Sequence, residues 1–279
     1  MTSTDNTPIV AITGATAGLG LATMKLLAAR GARLVLLTRH PEAATAAASD
    51  AGANQVDVIP CDLSLMSSVR QAAADLAALG RPIDVMINDA AIVTSTRILT
   101  AEGNETMLAT NYLGPALLTR LILDALPADH PVKLIAVGGP LNAVPDLDDL
   151  DSAQSFATRT AFERSKTALN LFTAAVPRHV GMPNLRAVIY SPGLMKTNLS
   201  ATIASSMVRA VGTLATKMLP NPAERAEGLA ELVASTNLDD AAPGTLFSSK
   251  GEATPMPLID DIDLQDKLWV LTSQRLGLT

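Results

Sequence analysis

The sequence is short of the residues from which several kinds of site are built. It has 1 cysteine among 279 residues, Cys61, which excludes an internal disulfide framework and a cysteine-based metal cluster. Its 3 histidines, His40, His130 and His179, stand without metal-ligand spacing, so no metal site is expected. Aromatic residues make up 3%, too few for the Tyr-, Trp- and Phe-fed strands of an all-β sandwich or barrel. Positive charge is also sparse. Against 27 Asp and Glu there are 21 Lys and Arg, a net charge of −6, which leaves no basic field for a nucleic-acid partner. No apolar run approaches the roughly 18 residues of a membrane span. The polar start, residues 1–8, has neither the basic nor the apolar region of a signal peptide. These absences describe a soluble, cytoplasmic protein with neither nucleic acid nor membrane as partner.

What is present is apolar aliphatic residue. Hydrophobic residues make up 48% and the mean hydropathy is +0.28, enough for a sizeable core. Short β-rich runs at 9–13, 33–38, 55–60, 83–88, 132–137, 185–190 and, more weakly, 244–248 alternate with Ala/Leu-rich helical stretches. The helical stretches are near 19–30, 41–51, 66–79, 102–126, 155–179 and 222–236. The alternation is that of βαβ units, and the strand runs are continuous in the manner of strands covered on both faces. The expected fold class is therefore α/β, a doubly wound parallel sheet of Rossmann type in one domain over residues 1–279. The apolar, Met-bearing stretch 199–222 reads as a substrate-covering insert.

The run Thr13-Gly14-Ala15-Thr16-Ala17-Gly18-Leu19-Gly20 follows the first strand and opens the first helix. Glycines there let backbone N–H groups approach a pyrophosphate at the positive end of a helix. The second strand ends Thr38-Arg39-His40, with no acidic residue to receive a free ribose 2′-hydroxyl. Arg39 instead offers planar donors for a 2′-phosphate, which points to NADP(H).

With these residues the sequence resembles the short-chain dehydrogenase/reductase family, from about residue 8 to 199. The turn from Thr13 to Gly20 is similar to the family's TGxxxGxG pattern. Cys61-Asp62-Leu63 resembles a segment whose Asp meets the adenine. Asn88-Asp89-Ala90-Ala91 resembles the family's NNAG, with changes at its second and fourth places. Thr110-Asn111-Tyr112 resembles the helix carrying an active-site Asn, and Ser191-Pro192-Gly193-Leu194-Met195-Lys196-Thr197 the turn that borders the nicotinamide. The resemblance implies cofactor contacts at Gly14, Thr16, Gly18, Leu19, Gly20, Arg39, Asp62, Leu63, Asn88, Ala90, Lys166, Pro192, Gly193 and Thr197. It also implies a homo-oligomer, dimer or tetramer, formed through the helices near 102–126 and 155–179.

The family's catalytic set is Ser, Tyr and Lys, assisted by Asn. Asn111 and Lys166 are retained, Asn111 to place a water and Lys166 to hold ribose. Phe162 stands at the Tyr position of Phe162-Glu163-Arg164-Ser165-Lys166. In Val137-Gly138-Gly139-Pro140 the Ser position falls on Gly139, with Gly138 as the alternative, and both glycines are expected to enlarge the floor of the site. Tyr112 and Tyr190, the 2 tyrosines of the chain, are substitute candidates for the acid. Thr158 and Thr160 are further hydroxyl sources, and Asp146, Asp148, Asp149 and Asp151 form an acidic run. Three readings stay open: an NADP(H)-dependent reductase of a pre-activated, iminium or enone-like, small apolar substrate; a non-redox cyclase, isomerase or lyase; and a catalytically silent NADP(H)-binding partner or sensor.

Overall fold

The computed structural model describes residues 7–193, 195, 220–235, 238 and 240–278. Thr197 and nearly all of the stretch expected to form an insert, 199–219, lie outside the described residues. The strands are β1 (Ile9–Thr13), β2 (Arg33–Thr38), β3 (Val56–Pro60), β4 (Val85–Asn88), β5 (Val132–Val137), β6 (Leu185–Ser191), β7 (Leu246–Ser248) and β8 (Ala253–Thr254). They form one sheet in the order β3-β2-β1-β4-β5-β6-β7-β8. Every neighbouring pair is parallel except β7 with β8. The order reverses between β1 and β4, which opens a crevice at the carboxyl ends of the strands.

The helices are α1 (Gly18–Ala29), α2 (Pro41–Asp50), α3 (Met66–Ala78), α4 (Thr106–Leu108), α5 (Gly114–Ala125), α6 (Thr158–Val180), α7 (Pro222–Ala234) and α8 (Ile262–Leu276). One apolar layer joins the sheet to α3, α5, α6 and α8 through residues such as Leu76, Leu117, Phe172 and Leu268. The other joins it to α1, α2 and α7 through Met24, Ala44 and Leu229. The central strands are apolar at nearly every position because both layers cover them.

Three elements differ from the sequence expectation. The helix expected over 102–126 is divided: α4 and α5 are separated by one wide, π-helical turn, Ala109–Leu113. Strand β8 is too short to leave a pattern. Helix α8 lies beyond the last expected helix, although Asp261 caps its start by accepting from the Leu264 N–H.

Helix α8 brings Trp269 between Phe172 and His179, with ring centroids 5.2 and 4.4 Å away, and the Arg120 guanidinium carbon lies 4.6 Å from the Trp269 ring. Asp266 pairs with Arg178 and His179 of α6. The face of α5 and α6 expected to meet a second subunit is thus partly covered by the chain's own last helix. Among the described residues, no helix is long and apolar enough to cross a membrane.

Trp269→Ala removes the centre of this stack. The variant is expected to lose about 3–5 kcal/mol of stability, read as a lower urea midpoint with an unchanged slope.

Candidate active site

Backbone geometry at the end of β1 determines what the crevice can receive. Gly14 and Gly18 have φ of 80° and 56°, the left-handed region that glycine adopts without strain. A β-carbon at Gly14 would sit 2.9 Å from Ala90, and one at Gly20 would sit 2.4 Å from the Gly14 carbonyl oxygen. Backbone therefore lies where side chains would otherwise be. Ala17 begins α1 with no side-chain cap, and of the first N–H groups of the helix the Gly20 one meets the Asp89 carboxyl.

The strands end level with one another. Thr13 pairs with Leu37 and with Asn88, Asn88 with Ala136, and Val137 with Tyr190. This register gathers the expected cofactor residues around one crevice. Thr16 and Leu19 lie on the turn, and exposed Arg39 follows β2. Asp62 and Leu63 follow β3, and the Asp62 carboxylate accepts from the backbone and hydroxyl of Ser64. Asn88 is buried and donates to the Thr119 hydroxyl at 3.0 Å. The backbone N–H groups of Asp89 and Ala90 both donate to the Thr13 hydroxyl. Pro192 and Gly193 follow β6.

Asn111 sits in the π-helical turn, a wider coil that re-aims its side chain inward. It is fully buried. Its Oδ1 accepts from the Ile92 N–H at 2.8 Å, while Nδ2 donates to the Ile92 carbonyl and to Ser165 Oγ at 3.0 and 3.1 Å. With both donors committed, one acceptor lone pair is left. The side chain thereby ties the loop after β4 to α6.

The hydroxyl candidates fare differently. Tyr190 lies in the layer with α1 and α7, and its phenol donates to the Arg225 carbonyl. Burial pushes it up to about 12. Tyr112 hydrogen-bonds to Thr272 of α8, and burial raises its pKa as well. Both point away from the crevice, which corrects their standing as substitute acids. Their aromatic bulk is used in packing. Thr158 donates to the Ser95 carbonyl. The acidic run is likewise structural: Asp149 accepts from the Ala153 and Gln154 N–H groups, and Asp151 pairs with Arg275.

The two glycines after β5 are not equivalent. A β-carbon on Gly138 would lie 2.2 Å from Asn170 Oδ1, whereas one on Gly139 would meet, among the described residues, only Ser191 Oγ, at 3.8 Å. Asn170 also donates to the Gly139 carbonyl at 3.0 Å. Gly138 therefore does not enlarge the floor, because Asn170 fills the space, whereas beside Gly139 the described residues leave room for a side chain. Phe162 lies one helical turn before Lys166 on α6.

Lys166 is 5% exposed, and its ammonium has no hydrogen-bond partner among the described residues. Burial lowers its pKa to about 8, with Asp89 opposing the shift. Asp89, unremarked by the sequence reading beyond its departure from NNAG, lies against the turn, with its Oδ2 2.5 Å from a β-carbon built at Gly20. Burial pushes its carboxyl up to about 7, against the pull of Lys166 and the Gly20 N–H. Its residue type and strand-end position were the available signal; its contact with the turn was not.

The crowded glycines Gly14 and Gly20, together with the Lys166 ammonium and the buried Asn88 Oδ1, both unpartnered among the described residues, fit a dinucleotide. Fold and crevice together define a doubly wound dinucleotide-binding protein. The profile described as short chain dehydrogenase matches residues 8–207, and the chain belongs to that family. It is 28% identical to human retinol dehydrogenase 13, covering 96% of this chain and 84% of that one. A probable oxidoreductase of Streptomyces lividans is 32% identical, over 91% and 88% of the two chains. Mouse polyprenol dehydrogenase is 30% identical over 94% and 81%. A solved protein of Mycobacterium paratuberculosis superposes with a TM-score of 0.73 at 27% identity, over 97% and 94% of the chains.

The sign of the pH dependence follows from the two shifts. Asp89 holds its proton more tightly folded than unfolded, so its contribution to stability is present below its ordinary 3.8 and lost as the pH rises to about 7. Lys166 holds its proton less tightly when folded, so its penalty is present below about 8 and relieved towards 10.5. Asp89→Asn is expected to raise the urea-unfolding free energy above pH 7 by about 1–3 kcal/mol. The gain should vanish near pH 4. Equal gains at both pH values would contradict the assignment.

Proposed function

We propose that the chain is an NADP(H)-dependent reductase whose acceptor is apolar and already electrophilic, an iminium ion or an enone. One observation carries the reading: the dinucleotide crevice and Lys166 are kept while Phe162 and Gly139 stand where the family's hydroxyls would be. General acid assistance is worth about 10²–10⁴-fold and one oxyanion donor about 10²–10³-fold. Reduction of an ordinary ketone would forgo both, because the resulting alkoxide needs a proton at once. An electron-poor carbon accepts hydride without that demand.

The cofactor, when bound, supplies hydride. Lys166 would bind its ribose hydroxyls, for which its buried ammonium has unused donors. The α1 N–H groups would hold the diphosphate, and Arg39 a 2′-phosphate. Asn111 fixes the Ile92 loop against Ser165. Support for an apolar substrate comes from Ile98 and Leu99, after β4, and Val144, after β5, which are about half exposed at 49%, 50% and 48%. The retinol and polyprenol dehydrogenases are named for apolar isoprenoid alcohols, consistent with that reading.

Calorimetric titration with NADPH and, separately, NADH tests the cofactor assignment. NADPH is expected to bind more tightly, and Arg39→Ala to weaken NADPH at least about 10-fold while leaving NADH unchanged. No binding of either would overturn the reading. A non-redox reaction or a binding role on this scaffold would then lead.

A further inference from the structure

Strand alternation places a hydroxyl next to the position that Gly139 leaves empty. Along β6 the Leu185 and Ala187 side chains enter the layer with α5 and α6, while Val188 and Tyr190 enter the layer with α1 and α7. Ser191, one residue beyond Tyr190, stands on the α6 side by the same period of two. That helix carries Phe162 and Lys166. Val137 pairs with Tyr190, and the Gly138 N–H donates to the Tyr190 carbonyl at 2.9 Å, so Ser191 lies beside the Gly138-Gly139 turn.

The contact is direct. A β-carbon at Gly139 would lie 3.8 Å from Ser191 Oγ, and no other non-adjacent atom among the described residues is within 4 Å. The Gly139 peptide is held from the other side by Asn170, which fixes the space between Gly139 and Ser191. Ser191 is half-buried and immediately precedes Pro192 and Gly193. A serine at position 139 would extend its hydroxyl by one bond into the gap that Ser191 Oγ already borders.

We propose that Ser191 is a catalytic residue, its hydroxyl donating a hydrogen bond from β6 to the substrate oxygen in place of the side chain absent at Gly139. This rests on the reductase reading above and narrows it. An iminium nitrogen has no lone pair to accept such a bond, whereas an enone oxygen does, so the substrate class is the conjugated enone. Hydride adds to the β-carbon, the C=C pair moves to form the Cα=C bond, and the carbonyl pair passes to oxygen as an enolate. The Ser191 hydroxyl stabilises that oxygen without transferring its proton, and water later protonates the α-carbon. The cofactor is oxidised by two electrons. At oxygen an enolate is far less basic than the alkoxide of a reduced ketone, because an enol is a much stronger acid than an alcohol, so a hydrogen bond suffices there and no acid is required at Phe162.

The test uses β-ionone, 2-cyclohexenone and trans-chalcone, with the carbonyl carbon labelled with ¹³C. Its two readouts are NADPH-dependent turnover and the infrared carbonyl stretch of the enone bound with NADP⁺. The expected result is turnover of at least one enone and a carbonyl stretch lowered by hydrogen bonding. Ser191→Ala should reduce kcat on the order of 10²-fold, leave NADPH affinity unchanged and return the stretch to higher frequency. Adding Gly139→Ser to Ser191→Ala should restore both. Should Ser191→Ala not fold, Ser191→Cys, a near-isosteric weak donor, should show an intermediate stretch and rate. A Ser191 variant that matches the wild type in rate and stretch would overturn the assignment while leaving the reductase reading intact. So would a wild type that binds NADPH yet neither shifts nor reduces any of the three enones. Failure to bind NADPH at all would overturn the reading beneath it.

Discussion

The side chain of one buried asparagine holds the catalytic side of the crevice together. Asn111 satisfies both the N–H and the carbonyl of Ile92 and still reaches Ser165 on α6. Three segments distant in sequence therefore meet at one amide: the loop after β4, the π-helical turn and the long helix bearing Lys166. Leaving any of these groups unpaired inside the protein would cost about 1–3 kcal/mol. The π-helical turn is what makes the reach possible, because an ordinary turn would carry position 111 round to another direction. The Glu105 carboxylate secures the start of the preceding short helix by accepting from the Met107 and Leu108 N–H groups.

On the other side of the crevice, close approach governs. The turn after β1 is so tight that Gly14, Gly20 and Ala90 leave no room for additional side-chain atoms. Into this confined, partly desolvated space the chain places one carboxyl and one ammonium, Asp89 and Lys166. They are not in ion-pair contact, yet each shifts the other's proton affinity. Such opposed shifts are common where a cleft is built to bind charge. Here burial brings Asp89 up to about 7 and Lys166 down to about 8, and the attraction between the two charges opposes both shifts.

The sheet was legible in the sequence because its central strands are covered on both faces and read as unbroken apolar runs bounded by turn residues. The glycine pattern between the first strand and the first helix was legible for a related reason. Left-handed φ and close backbone approach demand glycine, and demand it at fixed spacing. Phe162 before Lys166 and the glycine pair after β5 were equally readable, since a missing hydroxyl is visible in the residue name alone. The end of the chain was harder. Helix α8 spreads its apolar residues around the helix, with Ile262 and Val270 exposed, and its worth comes from Trp269 finding Phe172, His179 and Arg120. None of those partners is near it in sequence.

Local residue identity by itself determined the doubly wound class, the glycine turn after β1 and the presence of Phe162 and glycine where the resemblance leads one to expect hydroxyls. These depend on backbone sterics, hydrophobic periodicity and side-chain chemistry, which act within a few residues. Only the tertiary structure decided which groups face the crevice. It turned Tyr112 and Tyr190 into opposite packing layers, filled the space at Gly138 with Asn170, and set Ser191 beside Gly139. It also brought Asp89 under the turn near Lys166. Such outcomes follow from strand register, helix placement and burial, quantities that belong to contacts between distant segments and leave no pattern along the chain.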